Sequence, residues 1–225
     1  MARKKQAVRR KRKRIRLKKE VRHFLALLAV ACGLLVCAVA LAPLVGGRRY
    51  SSEAVLIERA ADLVIVQDEI PPGHQNRPQI IRQIRWIVIH ETDNTAASAD
   101  ALHHGEYLRT NETDVNSWHY TVDDHTIVHS LPDNEVGWHA GDRLEENGGN
   151  LNGIGIELCV NEGNDFEKTL DNAAALCAEL IRAYHLRVED IRTHQDFSGK
   201  HCPRQLLDQQ RMDEFRQKVE QCLKE

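Results

Sequence analysis

The chain of 225 residues has no internal repeat, which excludes solenoid and propeller architectures. Its first 45 residues also lack what a folded domain needs. Residues 1–22 hold thirteen Lys and Arg against a single acid, Glu20. Like charges repel and nothing apolar is available to bury, so this block does not fold alone. From Phe24 to Val45 there is no charge at all. At a rise of about 1.5 Å per residue that run makes roughly 33 Å of helix, enough to cross a hydrocarbon core of about 30 Å.

The expectation is therefore a basic cytoplasmic tail over residues 1–22 and a transmembrane signal-anchor helix over 23–45. An extracytoplasmic linker over 46–63 and a folded domain over 64–225 follow. The excess of Lys and Arg before the apolar run puts the N-terminus in the cytoplasm, giving a single-pass protein of the cell membrane. A cleaved signal ending near Ala38-Val39-Ala40 is the alternative, but the run exceeds the roughly 7–15 residues of a signal core, which favours a retained anchor.

Positive charge is also lacking once the tail is set aside. Removing its thirteen bases and one acid from totals of 31 and 33 leaves 18 and 32, a net charge of −14 over the remainder. An acidic domain argues against nucleic acid as a partner and suits a neutral or zwitterionic substrate. Its roughly 160 residues are enough for one domain with its own core, expected to be monomeric.

Within residues 64–225 strands and helices alternate. Trp86-Ile87-Val88-Ile89 reads as a buried strand. Trp118–Asp123 and Thr126–Ser130 read as a hairpin turning at Asp124-His125. Ser98–Leu108, Asp165–Tyr184 and Leu207–Leu223 carry helical apolar spacing, and a short helix is expected over Glu53–Leu63. The mixed order predicts an α/β fold with a mixed central β-sheet flanked by helices.

The chemistry concentrates in Thr193–Pro203, Thr-His-Gln-Asp-Phe-Ser-Gly-Lys-His-Cys-Pro. Neutral imidazole and thiolate are preferred zinc ligands, and a catalytic zinc takes three protein ligands with water in the fourth position. His194 and Cys202 supply two. Alone, a His and a Cys eight residues apart are more often a surface imidazole and a buried apolar residue. A third donor, His90, stands at the end of the Trp86–Ile89 run, where a buried strand delivers a side chain to a sheet edge. In the strand expected over Gly153–Val160, alternation puts Ile154, Ile156, Leu158 and Val160 on one face and Gly155, Glu157 and Cys159 on the other. Glu157 then stands above the sheet between small residues that leave room for a ligand. A zinc hydrolase needs such a carboxylate to move the protons of its water.

Several segments together resemble one family. They are Val66-Gln67-Asp68 with Asn76-Arg77-Pro78, Ile87 to Thr95, Ser117 to Asp124, Gly137-Trp138-His139-Ala140-Gly141-Asp142, Gly153-Ile154-Gly155-Ile156-Glu157, and His194 through Lys200 to Cys202-Pro203. In order and spacing they are similar to the zinc-dependent N-acetylmuramoyl-L-alanine amidases of the type 2 family, above all to those of Gram-positive bacteria and their prophages. That fold is shared with peptidoglycan recognition proteins and a phage lysozyme.

The resemblance implies a cell-wall hydrolase of the autolysin kind, acting on peptidoglycan with Zn2+. It implies His90, His194 and Cys202 as the metal ligands, Glu157 as the catalytic carboxylate and Lys200 as a catalytic cation. Trp118 and His139 are candidate substrate contacts. Some members have a tyrosine at the position of Trp118; an indole only donates, so no proton transfer is expected there. With Cys202 a ligand, Cys159, Cys177 and Cys222 remain among the four cysteines of the outer domain, an odd number, and are expected as buried free thiols. A peptidoglycan-binding receptor tethered to the membrane, without catalysis, is the alternative that the fold class leaves open.

Overall fold

A strand covered on both faces needs a near-continuous apolar run, and the run from Trp86 supplies it at the heart of the sheet. The structure, a computed structural model, describes residue 48 and residues 50–225. Seven strands form one mixed sheet: β1 (Arg59–Ala60), β2 (Leu63–Gln67), β3 (Trp86–Glu91), β4 (Tyr120–Val122), β5 (Ile127–His129), β6 (Gly153–Leu158) and β7 (Ile191–Thr193). Their spatial order is β1-β2-β5-β4-β6-β3-β7. β3 pairs in parallel with both β6 and β7, β4 pairs in parallel with β6, and β4 and β5 form the expected antiparallel hairpin. The mixed α/β architecture expected from the alternating pattern is present.

Alternation along the strands divides the sheet into two chemically different faces. Ile87 and Ile89 of β3, Ile154, Ile156 and Leu158 of β6, and Tyr120 and Val122 of β4 all enter one apolar cluster. Helix α3 (Phe166–Tyr184) covers that face with Leu170, Ala173, Ala174, Cys177, Leu180 and Ile181, all buried. Its first turn is capped by Asp165, whose side chain accepts from the Lys168 N–H at 3.3 Å. His185 ends it in the left-handed region at φ 54°. The opposite face carries Val88 and His90, the glycines of β6, Glu157 and Thr121. It is only partly covered, by α1 (Ala101–Thr110), the short α2 (Gly149–Asn152) and the loops around them.

Two expectations for helices are corrected. The segment Leu207–Leu223 is not one helix but parts of two, the end of α5 (Arg204–Asp208) and α6 (Met212–Cys222), with the short α4 (Gln195–Ser198) before them. The break after α5 is a left-handed helix end: Arg211 N–H donates to the Leu206 carbonyl at 2.8 Å and Gln210 N–H to the Leu207 carbonyl at 3.1 Å. Gln210 takes φ 56° there without being glycine, so no breaker announces the stop.

Nor is Glu53–Leu63 helical. The chain is extended and packed into the unit Tyr50–Glu225. Ile57 and Ala60 are buried in the apolar cluster, and the Val55 N–H donates to the Tyr184 hydroxyl at 2.8 Å. Tertiary partners for the backbone outcompete local helix formation, and residues 50–63 belong to the packed unit rather than to a linker.

The expected single-pass membrane location is also corrected. No helix among the described residues is long and apolar enough to cross a membrane. The tail 1–22 and the run 23–45, on which that expectation and the membrane contact rested, lie outside the described residues.

Beside the sheet, Arg77 is buried and holds Glu135 through two bonds, Nε to Oε2 at 3.0 Å and Nη2 to Oε1 at 2.8 Å. It also donates to the Ile70 carbonyl at 2.6 Å, while Asn76 Nδ2 donates to the Leu108 carbonyl at 2.8 Å. Removing one partner strands a buried charge. Arg77→Ala is therefore expected to lower the free energy of unfolding by about 3–5 kcal/mol, measured by denaturant titration.

Candidate metal centre and active site

Register brings the first two site residues together. His90 of β3 lies opposite Glu157 of β6, and Glu157 lies opposite Thr121 of β4, so the three form a row across adjacent strands on the face away from α3. His194 directly follows β7, the strand on the other side of β3, at the start of α4. Gly199 ends α4 at φ 78° and turns the chain back so that Cys202 reaches β3. The Cys202-Pro203 peptide is cis. Glu91 ties this segment down: its N–H approaches Cys202 Sγ at 3.5 Å, and its carboxylate accepts from the Gln205 N–H at 2.9 Å. Glu91→Ala should loosen this attachment and lower stability by about 1–3 kcal/mol in thermal unfolding, because it strands the Gln205 N–H.

His90, His194 and Cys202 are all buried and form a cluster whose ligand atoms lie within 4.8 Å of one another. His90 Nδ1 is 3.0 Å from His194 Nδ1 and 4.0 Å from Cys202 Sγ. Tetrahedral zinc bonded at ordinary lengths separates two nitrogens by about 3.3 Å and a nitrogen from a sulfur by about 3.6 Å, close to these values.

The ring nitrogens carry the fit further. His90 Nδ1 and His194 Nδ1 face each other at 3.0 Å, and each can present an electron pair there. Two such donors turned on one point suit a cation.

Electrostatics agree with the donor chemistry. Burial, then the neighbouring imidazoles His139 and His194, hold His90 well below the usual histidine range, and burial with the Lys200 charge takes His194 down to about 4. Both are neutral near pH 7, as ligands must be. Burial and the Glu157 charge push the Cys202 thiol up to about 12.

Glu157 is about one-seventh exposed, with Oε1 4.0 Å from His90 Nδ1. Its Oε2 is buried without any hydrogen-bond partner among the described residues. An orphaned carboxylate oxygen is costly unless something arrives to use it. Burial raises its pKa to about 8, opposed by Lys200 and reinforced by Glu91 and Asp93.

These groups open onto a cavity of about 380 Å³ lined by, among others, Glu157, His194, Lys200, Trp118, Trp138 and His139. Lys200 is exposed at its rim. Trp118 donates its indole N–H to Thr121 Oγ1 at 2.7 Å, so only its ring is open to a ligand. His139 is buried, with its Nδ1 toward His90 and its Nε2 3.3 Å from the Gly153 carbonyl. The room expected above Gly155 is filled by the His139 ring, whose Cδ2 would lie 2.8 Å from a Cβ at that glycine.

Sequence reasoning missed Thr121, Glu91 and Asn150. Asn150 Oδ1 accepts from the His139 and Ala140 N–H groups at 2.8 and 2.6 Å. Only Thr121 left a signal, through its period-two position in the hairpin.

Elsewhere, a larger depression of about 890 Å³ between α3 and α6 holds two ion pairs, Arg182 with Glu179 and Lys218 with Asp171. Asp123, Asp124 and His125 also converge. Asp123 is occupied there by the backbone N–H groups of Ala101, His125 and Thr126, as a hairpin turn requires. Cys159, Cys177, Cys202 and Cys222 are free thiols.

Fold and site together define an α/β protein with a buried cluster of two histidines and a cysteine, able to hold a metal, beside a carboxylate in a cavity. Comparison with known proteins gives the family. Residues 81–205 match the family model described as N-acetylmuramoyl-L-alanine amidase, and the chain belongs to that family.

It is 45% identical over 144 residues to N-acetylmuramoyl-L-alanine amidase XlyA of Bacillus subtilis (strain 168), covering 64% of this chain and 48% of XlyA. It is 43% identical over 146 residues to CwlH of the same strain, covering 65% of this chain and 58% of CwlH. The chain thus spans about half the length of the curated relatives it matches. The solved catalytic domain of XlyA superposes with a TM-score of 0.66 at 43% identity, covering 70% of this chain and 99% of that domain.

Proposed function

We propose that this protein is a zinc-dependent N-acetylmuramoyl-L-alanine amidase, which hydrolyses the amide joining N-acetylmuramic acid to L-alanine in peptidoglycan. The observation that carries the reading is the convergence of His90, His194 and Cys202 on one point beside the unpartnered carboxylate oxygen of Glu157. A peptidoglycan receptor would have no use for a buried carboxylate oxygen left without a partner next to three ligands.

His90 Nδ1, His194 Nδ1 and Cys202 Sγ would hold the ion. When bound, zinc supplies Lewis acidity, which makes water acidic near neutral pH and polarises a carbonyl. Glu157 Oε2 takes a proton from the attacking water as the water oxygen bonds to the lactyl carbonyl carbon. Lys200 at the cavity rim offers its ammonium to the negative charge growing on the carbonyl oxygen. Glu157 then returns the proton to the alanine nitrogen as the C–N bond breaks. The products are the muramic carboxylate and the free amine of L-alanine. The ring faces of Trp118 and Trp138 line the approach and offer apolar contact to the substrate.

The test is chemical. The purified protein incubated with intact peptidoglycan should release new L-alanine N-termini without new reducing sugar ends, and chelation should abolish the release until zinc is restored. New reducing ends instead would mean a glycosidase; binding without either product would mean a receptor.

A further inference from the structure

We propose that His139 is a positioning residue that presets His90 for metal binding, by accepting the Nε2 proton of His90 and so keeping the His90 Nδ1 electron pair turned toward His194 and Cys202. The inference rests on the reading of His90 as a metal ligand, and it assigns His139 a role other than contact with substrate.

The protons follow from the end of a chain of hydrogen bonds. His139 Nε2 lies 3.3 Å from the Gly153 carbonyl oxygen, which can only accept. With a single proton on its ring, His139 must therefore carry it on Nε2. Its Nδ1 is then an acceptor, and the group 3.0 Å away is His90 Nε2. That nitrogen must carry the His90 proton, so the His90 electron pair sits on Nδ1. Gly153 is itself fixed, since the buried Arg82 donates to the same carbonyl from Nη2 at 2.9 Å. A ligating imidazole whose other nitrogen donates to a fixed acceptor has its tautomer and orientation set before the metal arrives, and its basicity raised.

The surroundings hold the His139 ring in that one place. Asn150 Oδ1 accepts from both the His139 and Ala140 N–H groups, at 2.8 and 2.6 Å, and so fixes the backbone that carries the ring. The ring is wedged between two glycines. A Cβ at Gly155 would approach its Cδ2 to 2.8 Å, and one at Gly137 would approach the same atom to 3.1 Å. Side chains at either position would displace the ring, which accounts for a Gly at both. It meets His90 edge-on at 86° with ring centroids 5.0 Å apart, the geometry of an in-plane nitrogen-to-nitrogen bond rather than of stacking.

The test begins with the metal-stripped full-length chain. Two-bond proton–nitrogen spectra of its histidines should report both His90 and His139 as the Nε2–H tautomer; a proton on His90 Nδ1 would overturn the proposal. Zinc affinity is then measured by competition with a chromophoric chelator. His139→Phe fills the space above Gly155 but cannot accept, and it should bind zinc roughly 10- to 100-fold more weakly. His139→Asn, whose amide oxygen stands where Nδ1 stood, should recover part of that loss. Unchanged affinity in a folded His139→Phe protein would overturn the role of His139 while leaving the metal centre intact. Failure of the unaltered protein to bind zinc would remove the metal centre and the inference with it. If His139→Phe does not fold, the tautomer measurement on the unaltered chain decides.

Discussion

Glu157→Gln is expected to lower kcat on peptidoglycan by roughly 10³-fold, within the 10²–10⁴-fold that a positioned acid–base group contributes, with zinc content unchanged. The amide fills the same space and keeps the strand register with His90 and Thr121. It cannot take the proton of the attacking water or give one to the leaving amine. The unpartnered Oε2 is the atom whose loss the experiment reads.

The pH profile gives an independent check. A base must be ionised to act, so activity falls as pH drops through the pKa of Glu157. Burial raises that pKa to about 8 in the metal-free protein, and the Lys200 charge lowers it. A bound cation favours the ionised form in the same sense as Lys200, so the acid limb of the loaded enzyme should lie below 8. In Lys200→Met the limb should move toward higher pH, because one opposing charge has gone. Full turnover in Glu157→Gln would assign the proton transfers to another group.

The second large effect concerns Cys202. Burial and Glu157 push its thiol up to about 12, so the metal-free protein holds the proton at neutral pH. Zinc takes thiolate, and uptake must expel that proton. His90 and His194 are already neutral near pH 7 and release none. The sign follows: affinity should rise with pH, the Cys202 proton alone contributing about tenfold per pH unit from the range where both imidazoles are neutral up to the thiol value. Calorimetry in buffers of different ionisation enthalpy should count one proton more per zinc in the unaltered protein than in Cys202→Ser, the remainder coming from Glu157 as its pKa falls from about 8 on loading. If each of three ligands supplies about 4 kcal/mol of a structural-type zinc site, the substitution weakens binding roughly 10³-fold and activity is lost. Retained zinc and activity in Cys202→Ala would exclude the cysteine from the centre.

How much of this was legible in the sequence depends on whether the cause is local. The alternation in Gly153–Leu158 correctly separated Ile154, Ile156 and Leu158 from Gly155 and Glu157, because strand geometry alone decides it. Asp165 and the apolar stripe that follows it mark the long helix for the same reason. The break at Gln210 was hidden because a residue other than glycine occupies the left-handed position. The extended course of residues 53–63 was hidden because its partners, among them Tyr184, are more than a hundred residues away.

The three candidate ligands were readable from residue type and from placement at a strand end and a turn, and the structure brings them together. What lies behind them was not readable. Asn150, Glu91 and the acceptor role of His139 are contacts between distant segments, and nothing in their local sequence sets them apart. Gly155 is instructive: its smallness was read as room for a ligand, whereas that room holds an imidazole of the protein itself.

The central claim is that two histidines and one cysteine hold zinc beside Glu157, and X-ray absorption at the zinc edge of the loaded protein tests it most directly. The account predicts one sulfur at about 2.3 Å, two nitrogens at about 2.0–2.1 Å and a fourth light ligand that is not protein, with the sulfur shell absent in Cys202→Ser. A first shell without sulfur in the unaltered protein, or one that keeps its sulfur when Cys202 is replaced, would contradict it.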